Sequence, residues 1–292
     1  MNKFFIFLSL YIVVFILYGF VLKPPRLIYN QENLVNGSYS SVTTKIIPKI
    51  LYNKYCICLI AYKPNIIWLE FLNKFKNYDI YIMIDDNTID YAKQYNKIYP
   101  NLNIIQIDND ECENNGFVNS STIEMDKKVI AWDKGLYYFS NKIYDKYDYV
   151  WFMEDDVFLY NEETLLNIDS KYRDYDDLLL PGIHNQDDPW KWHRIEILFP
   201  PPYYRNVICA VRMSKLLLNE INKYAQENKT LFFIEAMFPT ICKYKNLKLN
   251  VIDELSTIVW RHNYTIEHIN KLKLYHPIKD IESHKYFRET IF

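Results

Sequence analysis

The sequence predicts an α/β fold with a central, mostly parallel sheet flanked by helices, and three observations carry that reading. Short, wholly apolar runs alternate with segments of helical periodicity. The run Tyr149-Val150-Trp151-Phe152-Met153 has no polar position, so it must be buried on both faces. Acidic residues fall where several of these runs end, and in open α/β sheets ligands sit outside the carboxyl ends of the strands. Half of the 292 residues are hydrophobic, enough for a sizeable core.

The chain opens with an unbroken apolar run, Phe4 to Leu22, long enough to cross a bilayer. Lys3 precedes it, Lys23 and Arg26 follow, and no small-x-small cleavage pattern ends it. Residues 1–23 therefore read as an uncleaved signal anchor. Residues 24–52 lack periodicity and read as a stem, leaving 53–292 as the folded domain. A single early span before a large polar domain implies a single-pass type II protein with that domain in the lumen of the endoplasmic reticulum or Golgi. Asn-x-Ser/Thr triplets at Asn36, Asn119, Asn228 and Asn263 fit a lumenal domain, although an Asn-rich chain also makes such triplets by chance.

The first strand is expected at Tyr55–Tyr62, bounded by Lys63-Pro64. A helix follows over 65–77, with Ile67, Leu69, Phe71, Leu72 and Phe75 on its apolar face. Further strands are expected at Ile80–Ile84, ending on Asp85-Asp86-Asn87, and at Asn103–Ile107. Ser121-x-x-Glu124 has the form of a capping box, before a helix carrying Val129, Trp132, Leu136 and Phe139. The apolar strand 149–153 then ends directly on Glu154-Asp155-Asp156.

Composition excludes several functions. The net charge of −2 offers no footprint for nucleic acid. Only five glycines are present, where average usage would give roughly 20. No two are close enough for a P-loop or a dinucleotide fingerprint, so a bound nucleotide diphosphate must be neutralised by other means. The five cysteines match no zinc spacing. Cys56 and Cys58 sit in a strand and read as buried thiols, while a Cys209–Cys242 bridge is open in an oxidising lumen.

Three consecutive acids at the end of a buried strand are costly without a counter-charge. A solvated turn absorbs them, or a divalent cation uses them. Magnesium and manganese take one or two carboxylates together with substrate phosphates, which suits a diphosphate site lacking a glycine loop.

The segment Lys128–Leu159 resembles the central region of the β-1,3-glycosyltransferases, the galactosyltransferase and Fringe group. Lys134 matches a lysine on that family's helix. Glu154-Asp155-Asp156-Val157-Phe158 matches its D-D-D-V-F motif, with Glu for the first Asp. Phe199–Tyr204 resembles the Y-P-P-Y segment, and Val207–Leu218 the strand, serine and helix that follow. Phe232–Phe238 stands in place of an E-D-V-x-x-G motif, with Glu235 on the acidic position but without the Asp and Gly. Arg205–Cys209 departs from the family's small residues. Branching N-acetylglucosaminyltransferases carry similar segments.

The resemblance implies a GT-A (nucleotide-diphospho-sugar transferase) fold, a UDP-sugar donor, Mn²⁺ or Mg²⁺, and a glycan or glycoprotein acceptor. It further implies transfer of a hexose or N-acetylhexosamine with inversion. Asp156 is the candidate metal ligand, with Glu154 and Asp155 on nucleotide and metal. Glu235 reads either as the catalytic base or as an acid placed at a helix start by the macrodipole. Asp86 reads either as a contact to base or ribose or as a helix cap. His276 is a candidate ligand, with His262 and His284 as rivals and a surface histidine as the alternative. Trp190 and Trp192 read as an acceptor-stacking pair or as packed rings. Two rival functions remain: a catalytically degenerate glycan-binding protein on the same fold, and a retaining transferase.

Overall fold

A computed structural model describes residues 54–121, 128–172 and 176–291. The Phe4–Leu22 run, the stem and Glu124 lie outside them. Among the described residues no helix is long and apolar enough to cross a membrane.

The chain enters a sheet at β1 (Tyr55–Ala61) and leaves it for α1 (Ile66–Leu72), which starts where the Asn65 side chain accepts from Ile67 N. Strand β2 (Asp79–Ile84), the short α2 (Tyr91–Tyr95), β3 (Leu102–Gln106) and α3 (Asn109–Asn114) follow. Next come α4 (Ala131–Tyr137), which runs into a π-helical turn at Tyr138–Lys142, and then β4 (Tyr149–Glu154) and α5 (Glu162–Lys171). After β5 (Leu178–Leu180), the two-residue strands β6 (His184–Asn185) and β7 (Tyr204–Arg205) pair with each other. Strand β8 (Ala210–Ser214), α6 (Lys215–Asn228), α7 (Ile234–Tyr244), β9 (Leu249–Val251) and α8 (Ile281–Thr290) complete the order.

The main sheet has seven strands in the order β3-β2-β1-β4-β8-β5-β9. Only β8 is antiparallel to its neighbours β4 and β5, so the sheet is mostly parallel, as expected. Alternation along β1 and β4 sorts the core. Cys56, Cys58, Ile60, Val150 and Phe152 face one layer, with α4, α6 and α7. Tyr55, Ile57, Leu59, Trp151 and Met153 face the other, with α1 and α5. Gly135 lets α4 lie close on the sheet, because a Cβ there would stand 3.0 Å from Ile60 Cδ1.

Two local expectations need correction. The helix after Ser121 begins ten residues later, at Ala131. Its start is organised by Asp133, whose carboxylate accepts from Ser120 N at 3.0 Å and Ile130 N at 3.0 Å. Ser121-x-x-Glu124 therefore does not cap it: a matching four-residue pattern loses to an acid that satisfies two backbone donors at once. Cys209 and Cys242 are free, as are all five cysteines, and all are buried. In addition, Asn119 is buried and donates to Thr230 Oγ1 at 3.0 Å, so that triplet offers no free amide in the folded chain.

Candidate active site

The carboxyl ends of β2, β1 and β4 share one edge of the sheet, and β4 delivers the acidic triplet there. The turn after β4 is tied from several sides. Glu154 N donates to Cys209 O at 2.8 Å, Trp68 Nε1 from α1 donates to Asp155 O at 2.8 Å, and Ile278 N donates to Asp156 O at 2.8 Å. Phe158 and Tyr275 exchange backbone hydrogen bonds at 2.8 and 3.1 Å. That last pairing carries the next residue, His276, onto the turn from almost 120 positions away in sequence.

His276 is buried, and its Nδ1 lies 2.8 Å from the Val259 carbonyl. With the proton on Nδ1, Nε2 is left to face Asp156 Oδ1 at 3.4 Å. Asp156 Oδ1 is itself buried and has no hydrogen-bond partner. Glu154 accepts from Trp132 Nε1 at 2.7 Å. A Glu154 oxygen, a His276 ring nitrogen and Cys209 Sγ lie within 4.8 Å of one another.

These groups titrate unusually. Burial raises the Glu154 carboxyl; the Trp132 N–H opposes this and the Asp156 charge adds to it. Asp155 is pushed up to about 6 by burial and then by Asp156. Burial alone would lower His276, but the Asp156 carboxylate and the Val259 carbonyl outweigh it and the net shift is upward.

Glu154, Asp156, Cys209 and His276 line a cavity of about 1060 Å³, which Glu235 also lines from the first turn of α7. Burial pushes Glu235 up to about 7; Arg205 opposes the rise and Glu154 adds to it. Trp260, Arg261, His262 and Lys279 form other parts of the wall. A neighbouring pocket of about 610 Å³ holds Asp85 and Asp86; Lys128 and Val129 line this pocket, and Ile130 and Trp132 line the larger cavity. Lys134, fully buried, donates to Asp85 O at 2.6 Å and pairs with its carboxylate at 3.5 Å, tying α4 to the end of β2.

The sequence candidates thus separate. Asp156, Glu154, His276 and Glu235 come together in one cavity, whereas the Asp155 side chain is not part of its wall. Asp86 accepts from Thr88 N and Oγ1 and from Tyr91 OH, which together hold its carboxyl well below the usual range. The geometry is that of an acid organising its own turn. His284 is a core residue: it packs edge-on against Trp68 and Phe158, bonds to the Ile278 carbonyl at 2.7 Å, and is pushed down to about 4 by burial. His262 is exposed at the rim, its ring tilted against Tyr264 at 4.2 Å between centroids. Trp190 and Trp192 pack on each other, and Trp190 also stacks on Phe233 with the Arg205 guanidinium over its ring. Cys209 was not anticipated, because nothing in a one-dimensional pattern reveals that an antiparallel β8 will place it beside Glu154.

No family model and no curated protein matches the chain. Among solved structures, it is similar to 4-diphosphocytidyl-2C-methyl-D-erythritol synthase from Anaerococcus prevotii, at 15% identity over 68% of this chain and 88% of that one, TM-score 0.39. It is also similar to mouse xyloside xylosyltransferase 1, at 10% identity over 78% of this chain and 98% of that one, TM-score 0.40. Neither likeness bears on the chemistry of the cavity, which its own residues define.

Proposed function

We propose that the protein is a divalent-cation-dependent glycosyltransferase of the GT-A type. In this reading it moves a hexose or N-acetylhexosamine from a UDP-sugar to a glycan or glycoprotein. The observation that carries the reading is Asp156 Oδ1, buried and without a hydrogen-bond donor, facing His276 Nε2 at 3.4 Å, with Glu154 close to His276, at the carboxyl edge of a parallel sheet. A buried carboxylate oxygen without a donor is costly unless something positive completes it. Oxygen and imidazole donors suit a divalent cation, so Asp156, Glu154 and His276 are the residues that would hold it. When bound there, a manganese or magnesium ion supplies charge neutralisation for the diphosphate and for the leaving nucleotide.

The chain's own residues do the rest. Arg261 and Lys279 on the cavity wall add positive charge toward the phosphates, the task a glycine loop performs elsewhere. Trp132 fixes the Glu154 carboxylate, and the Val259 carbonyl fixes the His276 ring. Glu235 takes the proton from the acceptor hydroxyl as its oxygen attacks the anomeric carbon. A carboxyl held near 7 is well matched to that step at neutral pH. Asp85, Asp86 and Lys128 line the neighbouring pocket, which in this reading takes the nucleoside end of the donor. The Phe4–Leu22 run anchors this domain on the lumenal side of a membrane in the same reading.

The test is a donor-hydrolysis screen of UDP-, GDP- and CMP-sugars with and without Mn²⁺. The expected outcome is Mn²⁺-dependent release of UDP. Binding of glycans with no hydrolysis of any donor would instead identify a binding protein on this fold.

A further inference from the structure

Among the described residues, Glu154, Cys209 and His276 form the only cluster of three side chains of metal-ligating type whose donor atoms converge, and one of the three is a thiol. We propose that Cys209 is a ligand at this centre, so that the site binds thiophilic divalent ions, zinc and cobalt, through Glu154, Cys209 and His276. The proposal rests on the metal-site reading above: it keeps Glu154 and His276 and sets the Cys209 sulfur beside them, with Asp156 facing His276.

Three features support it. The sulfur is held in place: Cys209 precedes β8, and its carbonyl receives Glu154 N at 2.8 Å, which puts the two residues opposite each other across the strand pair. Two hydrogen bonds orient the set, Trp132 Nε1 on Glu154 and the Val259 carbonyl on His276 Nδ1, as such bonds orient metal ligands. Finally, Cys209 lines the cavity while only 6% exposed, so an ion reaches the thiol from the cavity side alone.

The consequence is a change of selectivity. Carboxylate and imidazole donors alone serve magnesium and manganese, whereas a sulfur donor adds affinity for softer ions and very little for hard ones. Zinc takes such mixed sulfur, nitrogen and oxygen sets in tetrahedral sites. Binding through sulfur sends the thiol proton to solvent, one for each ion bound.

The experiment is a Co²⁺ titration of the full-length chain in detergent, followed by near-ultraviolet absorption, with Zn²⁺ and Mn²⁺ as competitors. Wild-type protein should develop a sulfur-to-cobalt charge-transfer band that Zn²⁺ abolishes. Cys209→Ser should lack the band and lose Zn²⁺ affinity on the order of 100-fold, with Mn²⁺ affinity kept within about twofold. Cobalt binding to the wild type without the band overturns the proposal and leaves the metal-site reading standing. Retention of the band in Cys209→Ser overturns it equally. Absence of binding by any of the three ions overturns both readings. The wild-type spectrum decides the matter even if the serine variant does not fold.

Discussion

Two acidic side chains at the sheet, Asp169 and Asp156, have different surroundings. On the α5 side, Asp169 is fully buried and saturated. It accepts from Tyr78 OH at 2.6 Å, from Trp151 Nε1 at 3.1 Å and from Arg212 Nη1 at 2.9 Å. Arg212, equally buried, donates to the Tyr172 carbonyl and lies over the Tyr149 ring. At the carboxyl edge, Asp156 Oδ1 has no hydrogen-bond donor and faces His276 Nε2 at 3.4 Å, and the Asp156 charge also acts on Glu154 and Cys209. The first arrangement answers its own charge and is architecture. The second has only the His276 imidazole to answer its charge, and it opens into a cavity.

The sharpest way to break that contrast is to neutralise each acid. Asp169→Asn leaves Arg212 as an uncompensated buried cation and should cost about 3–5 kcal/mol, read as the loss of stability in urea unfolding. Asp156→Asn removes a like-charge neighbour of Glu154 and should leave stability within about 1 kcal/mol. If Asp156→Asn unfolds the protein as readily as Asp169→Asn, the two centres do not differ in kind.

Glu235→Gln should reduce transfer by about 100-fold or more while nucleotide affinity stays unchanged. Full turnover in that variant would remove Glu235 from the mechanism. In the wild type, the rate should fall about tenfold for each pH unit below about 7, as the base becomes protonated. The stability linkage has the opposite sense to that of a salt-bridged acid. The folded-state pKa of Glu235 lies above its ordinary value of 4.5, so its contribution is most favourable below 4.5 and is lost as pH rises to about 7. Glu235→Gln should therefore flatten the stability profile over that interval, measured by unfolding at several pH values. The smallest effect is expected from Trp132→Phe, which keeps the ring packing and deletes one hydrogen bond to Glu154. Metal affinity should drop by roughly tenfold, and an unchanged affinity would mean that Glu154 needs no such support.

Much of the parallel half of the sheet was legible in sequence, because wholly apolar runs can only be doubly buried strands. Tyr55–Ala61, Asp79–Ile84, Leu102–Gln106 and Tyr149–Glu154 all lie within a residue or so of their expected positions. The serine that ends β8 and the helix after it were expected from the family resemblance instead, and Ser214 caps that helix by accepting from Leu217 N. What depended on long-range pairing was not legible. Three histidines were open as ligands, and they are separated only by the Phe158–Tyr275 pairing, which brings His276 to Asp156, and by the aromatic packing that encloses His284. Cys209 was hidden because its place depends on β8 running against the sheet. Trp190 and Trp192 were read as a sugar platform or as packed rings; they meet edge to face at 4.8 Å, and Trp190 stacks on Phe233 at 5.9 Å.

The central claim is that Asp156 completes a divalent-cation site for a nucleotide diphosphate. Titration calorimetry of UDP against the full-length chain, with and without Mn²⁺, tests it most directly when wild type and Asp156→Asn are compared. Mn²⁺-dependent UDP binding in the wild type, lost in the variant, is the result this account expects. Equal Mn²⁺-dependent affinity in both proteins would contradict it.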